Sequence, residues 1–175
     1  MRRLILLRHA KSDWPKGVSD LERPLAPRGL ADAPRMGQYL AAELLLPDLV
    51  LVSPALRTRQ TWELVKAEIP GNVACRTEPR IYEAPPESLL AVIREQPDTV
   101  RTLMLIGHNP GSETLALSLT GFGDRYAASR MAAKYPTSGL AVLDLPEGGW
   151  ESLGPRSCRL DRFVTPASLG QGPDS

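Results

Sequence analysis

Two histidines are the whole imidazole complement of this chain, and each follows a short apolar run, one residue on. His9 follows Leu4-Ile5-Leu6-Leu7-Arg8, and His108 follows Leu103-Met104-Leu105-Ile106-Gly107. A third run, Leu49-Val50-Leu51-Val52, ends in Ser53-Pro54 and is followed closely by Arg57. A neutral imidazole is a competent nucleophile toward phosphorus, because its unperturbed pKa of about 6.5 leaves a ring nitrogen unprotonated near neutral pH. Flanking cations help to keep it so, and the guanidinium forks of Arg8 and Arg57 match phosphate oxygens better than an ammonium does. The competing chemistry is metal binding. Zinc requires at least three Cys, His or carboxylate ligands at local spacings such as HExxH, and neither histidine has that company. A single histidine is more often a structural hydrogen-bonding group, but two in the same position relative to an apolar run shift the balance toward chemistry.

The surrounding motifs narrow the reading. Leu7-Arg8-His9-Ala10-Lys11-Ser12 resembles the Arg-His-Gly signature of the histidine phosphatases, the phosphoglycerate-mutase-like superfamily, with Ala10 where glycine is usual. That form is common in the SixA-like phosphohistidine phosphatase branch. The resemblance continues in family order through Asp20-Leu21-Glu22-Arg23-Pro24-Leu25, Arg28-Gly29, Ser53 to Thr61 and Gly107-His108-Asn109-Pro110, and covers residues 3 to 145. It implies that His9 is the nucleophile that becomes phosphorylated, that Arg8 and Arg57 bind the phosphoryl oxygens, and that His108 supplies a further donor to them. The general acid stays open between Asp20 and Glu83. Glu83 is favoured for ester substrates, whereas in the SixA-like branch that position is often not acidic, so Asp20 either acts or orients Arg8. Lys11 and Ser12 extend the first motif toward a phosphate, Arg23 pairs with Asp20 or lines the mouth, and Thr137-Ser138-Gly139 resembles a recurrent segment near the pocket. The activity implied first is removal of a phosphoryl group from a phosphohistidine-bearing signalling protein, without metal or other cofactor. A phosphomonoesterase for small metabolites and a non-catalytic module that binds phosphorylated ligands are the alternatives.

Such a site needs elements that bring distant segments together. The three apolar runs suit strands buried on both faces, as in a parallel sheet. Ser53 with Pro54, and Asn109 with Pro110, are suited to cap the helices that follow. Residues 27 to 46 carry Leu30, Met36, Tyr39, Leu40 and Leu44 at helical spacing, with Pro34 predicting a kink or a late start. A helix over 86–95 and a strand over 139–145 complete the pattern. The alternation predicts a three-layer α/β/α fold with a mostly parallel central sheet and its ligand site beyond the carboxyl ends of the strands.

Composition sets the outer bounds. The chain has 175 residues, 42% of them hydrophobic, which suits one compact domain over residues 1–165, followed by a Gly, Ser and Pro-rich tail over 166–175 expected to be loose. With 21 basic against 20 acidic residues there is no global field for nucleic acid or an anionic membrane, so any anion site is local. No apolar run is long enough for a signal h-region or a membrane span, and a cytoplasmic, monomeric protein is expected. Cys75 and Cys158 lack the spacing of a redox or zinc motif.

Overall fold

A computed structural model describes residues 1–170. Seven strands form one sheet: β1 (Arg2–Arg8), β2 (Leu49–Val52), β3 (Ala74–Thr77), β4 (Thr102–Gly107), β5 (Thr120–Gly123), β6 (Leu140–Leu145) and β7 (Cys158–Val164), in the spatial order β3-β2-β4-β1-β6-β7-β5. The pairs β3–β2, β2–β4, β4–β1 and β5–β7 are parallel; β6 runs antiparallel to both its neighbours and is the one reversed strand. The helices are α1 (Pro27–Ala42), α2 (Leu56–Lys66), α3 (Pro86–Arg94), α4 (Gly111–Leu119) and α5 (Arg125–Ala133). The α/β architecture expected from the sequence is therefore the one observed.

The pleat sorts the core into two layers. Leu4, Leu6, Leu51, Leu103, Leu105, Ala141 and Leu143 face α3, α4 and α5, whereas Ile5, Leu7, Val50, Val52, Met104, Ile106 and Val142 face α1 and α2. Successive residues of a strand point to opposite faces, so a continuous apolar run is what a strand covered on both sides needs. Among the described residues, no helix is long and apolar enough to cross a membrane.

Several local expectations change. α1 starts at Pro27, not late, and runs through Pro34 to Ala42. Pro34 forfeits one hydrogen bond, and the full burial of Ala33, Met36 and Leu40 against the sheet outweighs it. Leu30 and Leu44, counted from spacing as part of the apolar face, are exposed, and Leu44 lies past the helix end at φ 55°. α2 is capped at Ala55, not Ser53, and α4 begins one residue late, at Gly111, although Asn109 Oδ1 still accepts from Glu113 N. Within the tail, Pro166 to Gly170 is held rather than loose: the Arg35 guanidinium donates to the carbonyls of Pro166 and Gly170, and Leu169 packs on the core. The rest of the expected tail lies outside the described residues. The edge strands β3 and β5, the charged β7 and α5 carry too little periodic apolar signal to be read locally.

α1 docks its first turn on the segment that leaves β1: Ala26 N donates to Lys11 O, and a Cβ on Gly29 would overlap that same carbonyl oxygen. Gly29→Ala must therefore push α1 off the Lys11 segment. The expected loss of unfolding free energy in urea is about 1–3 kcal/mol; an unchanged transition midpoint would show that the helix does not bear on this loop.

Candidate active site

β4 lies between β1 and β2, with Ile106 paired to both Leu7 and Val52. The residues that follow each strand therefore emerge side by side: His9 N donates to Gly107 O at 3.1 Å, and Ser53 N to Ile106 O at 3.2 Å. The imidazoles of His9 and His108 end with ring centroids 5.4 Å apart.

His9 is buried, and its Nδ1 lies 2.7 Å from Ala10 O. A carbonyl can only accept, so Nδ1 carries the proton and Nε2 keeps its lone pair. Burial pushes the pKa of His9 down to about 3; the bond to Ala10 O opposes this, and the charges of His108, Arg57 and Arg8 add to it. His108 places Nε2 2.7 Å from Ser53 Oγ and Nδ1 3.4 Å from an Arg57 amine, and burial followed by Arg57 lowers its pKa to about 4. Both rings are neutral near pH 7.

The cations are held without being consumed. Arg8 Nη1 donates to Tyr135 O at 2.9 Å, and the buried Nε atoms of Arg8 and Arg57 have no partner among the described residues. Arg57 sits in the first turn of α2 and is 4% exposed. Its two amines reach the backbone carbonyl and the carboxylate of Asp20 at 2.7 and 3.1 Å. Asp20 also accepts from Arg23 at 2.9 Å and from the Tyr82 hydroxyl. The Tyr82 bond, then those from Arg23 and Arg57, hold its carboxyl well below the usual carboxylate range. Asp20 thus orients Arg57 and Arg23 and makes no hydrogen bond to Arg8, which corrects one expectation. Arg23 further donates to Ser12 Oγ at 2.5 Å and stacks over the exposed ring of Trp14. Glu83 is exposed at the rim, with φ 49°.

All nine residues singled out from the sequence line one cavity of about 350 Å³, joined by Trp14, Asn109 and Thr137. Spacing had assigned Ser53 to a helix cap; its hydroxyl instead meets His108. Tyr82 and Trp14 were passed over, and their only signal was adjacency to Glu83 and to the Ser12 motif. Among the described residues, no group of three or more His, Cys, Asp or Glu is placed to hold a metal ion. A neutral, tautomer-fixed imidazole beside two guanidiniums and a second imidazole suits transfer of a small multiply charged anion such as a phosphoryl group.

Comparison with known proteins agrees. Residues 4–88 match the family described as the histidine phosphatase superfamily (branch 1). An uncharacterised Mycobacterium tuberculosis protein, Rv1276c, is 39% identical over 162 residues, covering 91% of this chain and 99% of that protein. Among solved structures, a protein assigned as the phosphohistidine phosphatase SixA from Agrobacterium tumefaciens is similar at TM-score 0.79 and 33% identity, covering 94% of this chain and 97% of that one. Another with the same assignment, from Nakamurella, is similar at TM-score 0.83 and 26% identity, covering 94% of this chain and 96% of that one.

Neutral buried imidazoles tie stability to pH. Below pH 6.5 the unfolded chain takes up protons that the folded His9 and His108 refuse until about pH 3 and 4, so stability falls as pH falls through that window. The expected loss between pH 6.5 and pH 4 is on the order of 3–6 kcal/mol, read by urea unfolding across pH, and His9→Asn should remove much of the slope. An equal slope in that variant would show that His9 is not held neutral.

Proposed function

The chain belongs to the histidine phosphatase superfamily and is a phosphatase, and from that premise we propose that it removes the phosphoryl group of phosphohistidine on a protein through a covalent intermediate on His9. The observation that carries the reading is the fixed tautomer of His9: with Nδ1–H bound to Ala10 O, the lone pair of Nε2 is available beside Arg8 and Arg57.

In the first step the entering phosphoryl oxygens replace the Asp20 carboxylate on Arg57 and meet the unpaired donors of Arg8. His9 Nε2 forms a bond to phosphorus as the bond to the leaving nitrogen breaks on the opposite side; the leaving imidazole, which already carries a proton taken from solvent on its other nitrogen, departs as the neutral ring. In the second step water attacks the phosphohistidine, the P–N bond breaks, and inorganic phosphate and neutral His9 are regenerated. Two displacements replace one difficult one, and fixed guanidinium donors stabilise the charge of the transferring group. Lys11, Ser12 and Arg23 line the approach.

The identity of the acid supports a phosphohistidine substrate. Asp20 is held as a carboxylate by Tyr82, Arg23 and Arg57 and has no proton to give, whereas an imidazole leaving group needs far less help than an alkoxide. The similar Agrobacterium protein carries the same assignment, phosphohistidine phosphatase. A second reading, a phosphomonoesterase for small metabolites, is favoured by Glu83, a residue of the cavity lining whose carboxyl suits the protonation of an ester leaving group.

Wild type and variants are to be compared on a phosphohistidine protein and on an aryl phosphate, following phosphate release and acid-labile label on the enzyme. His9→Ala should abolish both release and label, and Arg57→Ala should lower kcat by roughly 10²–10³-fold. Glu83→Gln should slow ester hydrolysis by roughly 10²-fold or more and leave phosphohistidine turnover nearly unchanged. Turnover by His9→Ala would sink the mechanism; rapid ester hydrolysis with an untouched phosphohistidine protein would turn the assignment to metabolites.

A further inference from the structure

Ser53 is the first residue after β2 and is fully buried, away from the helix-cap role that its sequence position suggested. Its Oγ accepts from Ala55 N at 3.3 Å and lies 2.7 Å from His108 Nε2. A hydroxyl has one proton and two lone pairs, so the direction of the short contact decides which nitrogen of His108 carries the ring proton.

Counting donors chooses the direction once an anion is bound. With the ring proton on Nε2, Ser53 Oγ would accept twice, and its own hydrogen would have no acceptor among the described residues. With Oγ–H donating to Nε2, the hydroxyl is satisfied and the ring proton sits on Nδ1. In the free site an Arg57 amine lies 3.4 Å from that atom and, able only to donate, favours a bare Nδ1. An anionic oxygen that takes over the Arg57 N–H frees Nδ1 to carry the proton, and both donors then point at that oxygen while the Ser53 hydroxyl is satisfied by Nε2.

We propose that Ser53 is a positioning residue: with a phosphoryl group bound, its hydroxyl donates to His108 Nε2 and so fixes the ring proton on Nδ1, aimed at a phosphoryl oxygen beside Arg57. The inference rests on the phosphoryl-transfer reading of this cavity and adds to it the group that makes a neutral imidazole a donor rather than an acceptor. Burial and the neighbouring guanidiniums already disfavour a doubly protonated ring, so an oriented neutral tautomer is the remaining way to supply that hydrogen bond. The role parallels that of groups that hold the far nitrogen of a functional histidine in metal sites.

The test uses the full chain labelled with ¹⁵N and orthovanadate as the phosphoryl probe, with long-range ¹H–¹⁵N correlation at neutral pH. Only two imidazoles are present, and His9→Asn assigns them. The expected spectrum of the vanadate-bound wild type has His108 protonated at Nδ1 and bare at Nε2. A proton on Nε2, or on both nitrogens, overturns the proposal without any need for a variant. Ser53→Ala should lose the Nδ1 proton preference and reduce kcat by roughly 10–100-fold, with the vanadate complex still formed. A variant that keeps the Nδ1 proton and wild-type kcat overturns it equally. If vanadate moves neither imidazole, the phosphoryl-site reading itself fails and takes this inference with it.

Discussion

The parallel pairing of β4 between β1 and β2 is the constraint on which the site depends. Each strand ends within one residue of its neighbours, because the register that aligns Leu7, Ile106 and Val52 is locked by core packing on both faces. A one-residue slip would turn every buried side chain to the opposite layer, so the register is strongly specified and the alignment of His9, His108 and Ser53 comes with it. Helix α2, entering from the end of β2, then delivers Arg57 to the same point.

What that alignment produces is an unusual electrostatic balance. The guanidiniums of Arg8 and Arg57 are drawn close to two imidazoles that burial keeps neutral. The imidazoles add no charge to that of the cations near pH 7, and the cations are steadied by hydrogen-bond partners: Tyr135 O for Arg8, the Asp20 carboxylate for Arg57. Asp20 accepts from Arg57 in the site, and Tyr82 and Arg23 hold it there. The local excess of donors sits in a chain of nearly balanced charge, so the field is confined to the cavity.

The sequence made the site more legible than the fold around it. Residues that bear on chemistry occur in compact motifs beside strand ends, where type and position are both informative, and all nine chosen side chains meet in one cavity. Spacing failed where a side chain has two partners to choose between. Ser53 reads locally as a helix cap, yet tertiary structure gives its hydroxyl to His108 and starts α2 at Leu56. Pro34 reads as a breaker, yet α1 passes through it because the burial of its neighbours outweighs one missing hydrogen bond. The two edge strands and β7 were invisible because their residues are exposed or charged and are held by pairing rather than by their own apolar pattern.

By itself, then, the sequence determined the layered α/β class, the three buried strands, and the inventory of imidazoles and guanidiniums, all of which depend on residue type and short-range periodicity. Tertiary structure decided the strand order, the reversal of β6, the partners of Asp20 and the meeting of Ser53 with His108. Those depend on contacts between segments up to about 140 residues apart, and a local pattern carries no information about which of several competent donors and acceptors will be brought within 3 Å.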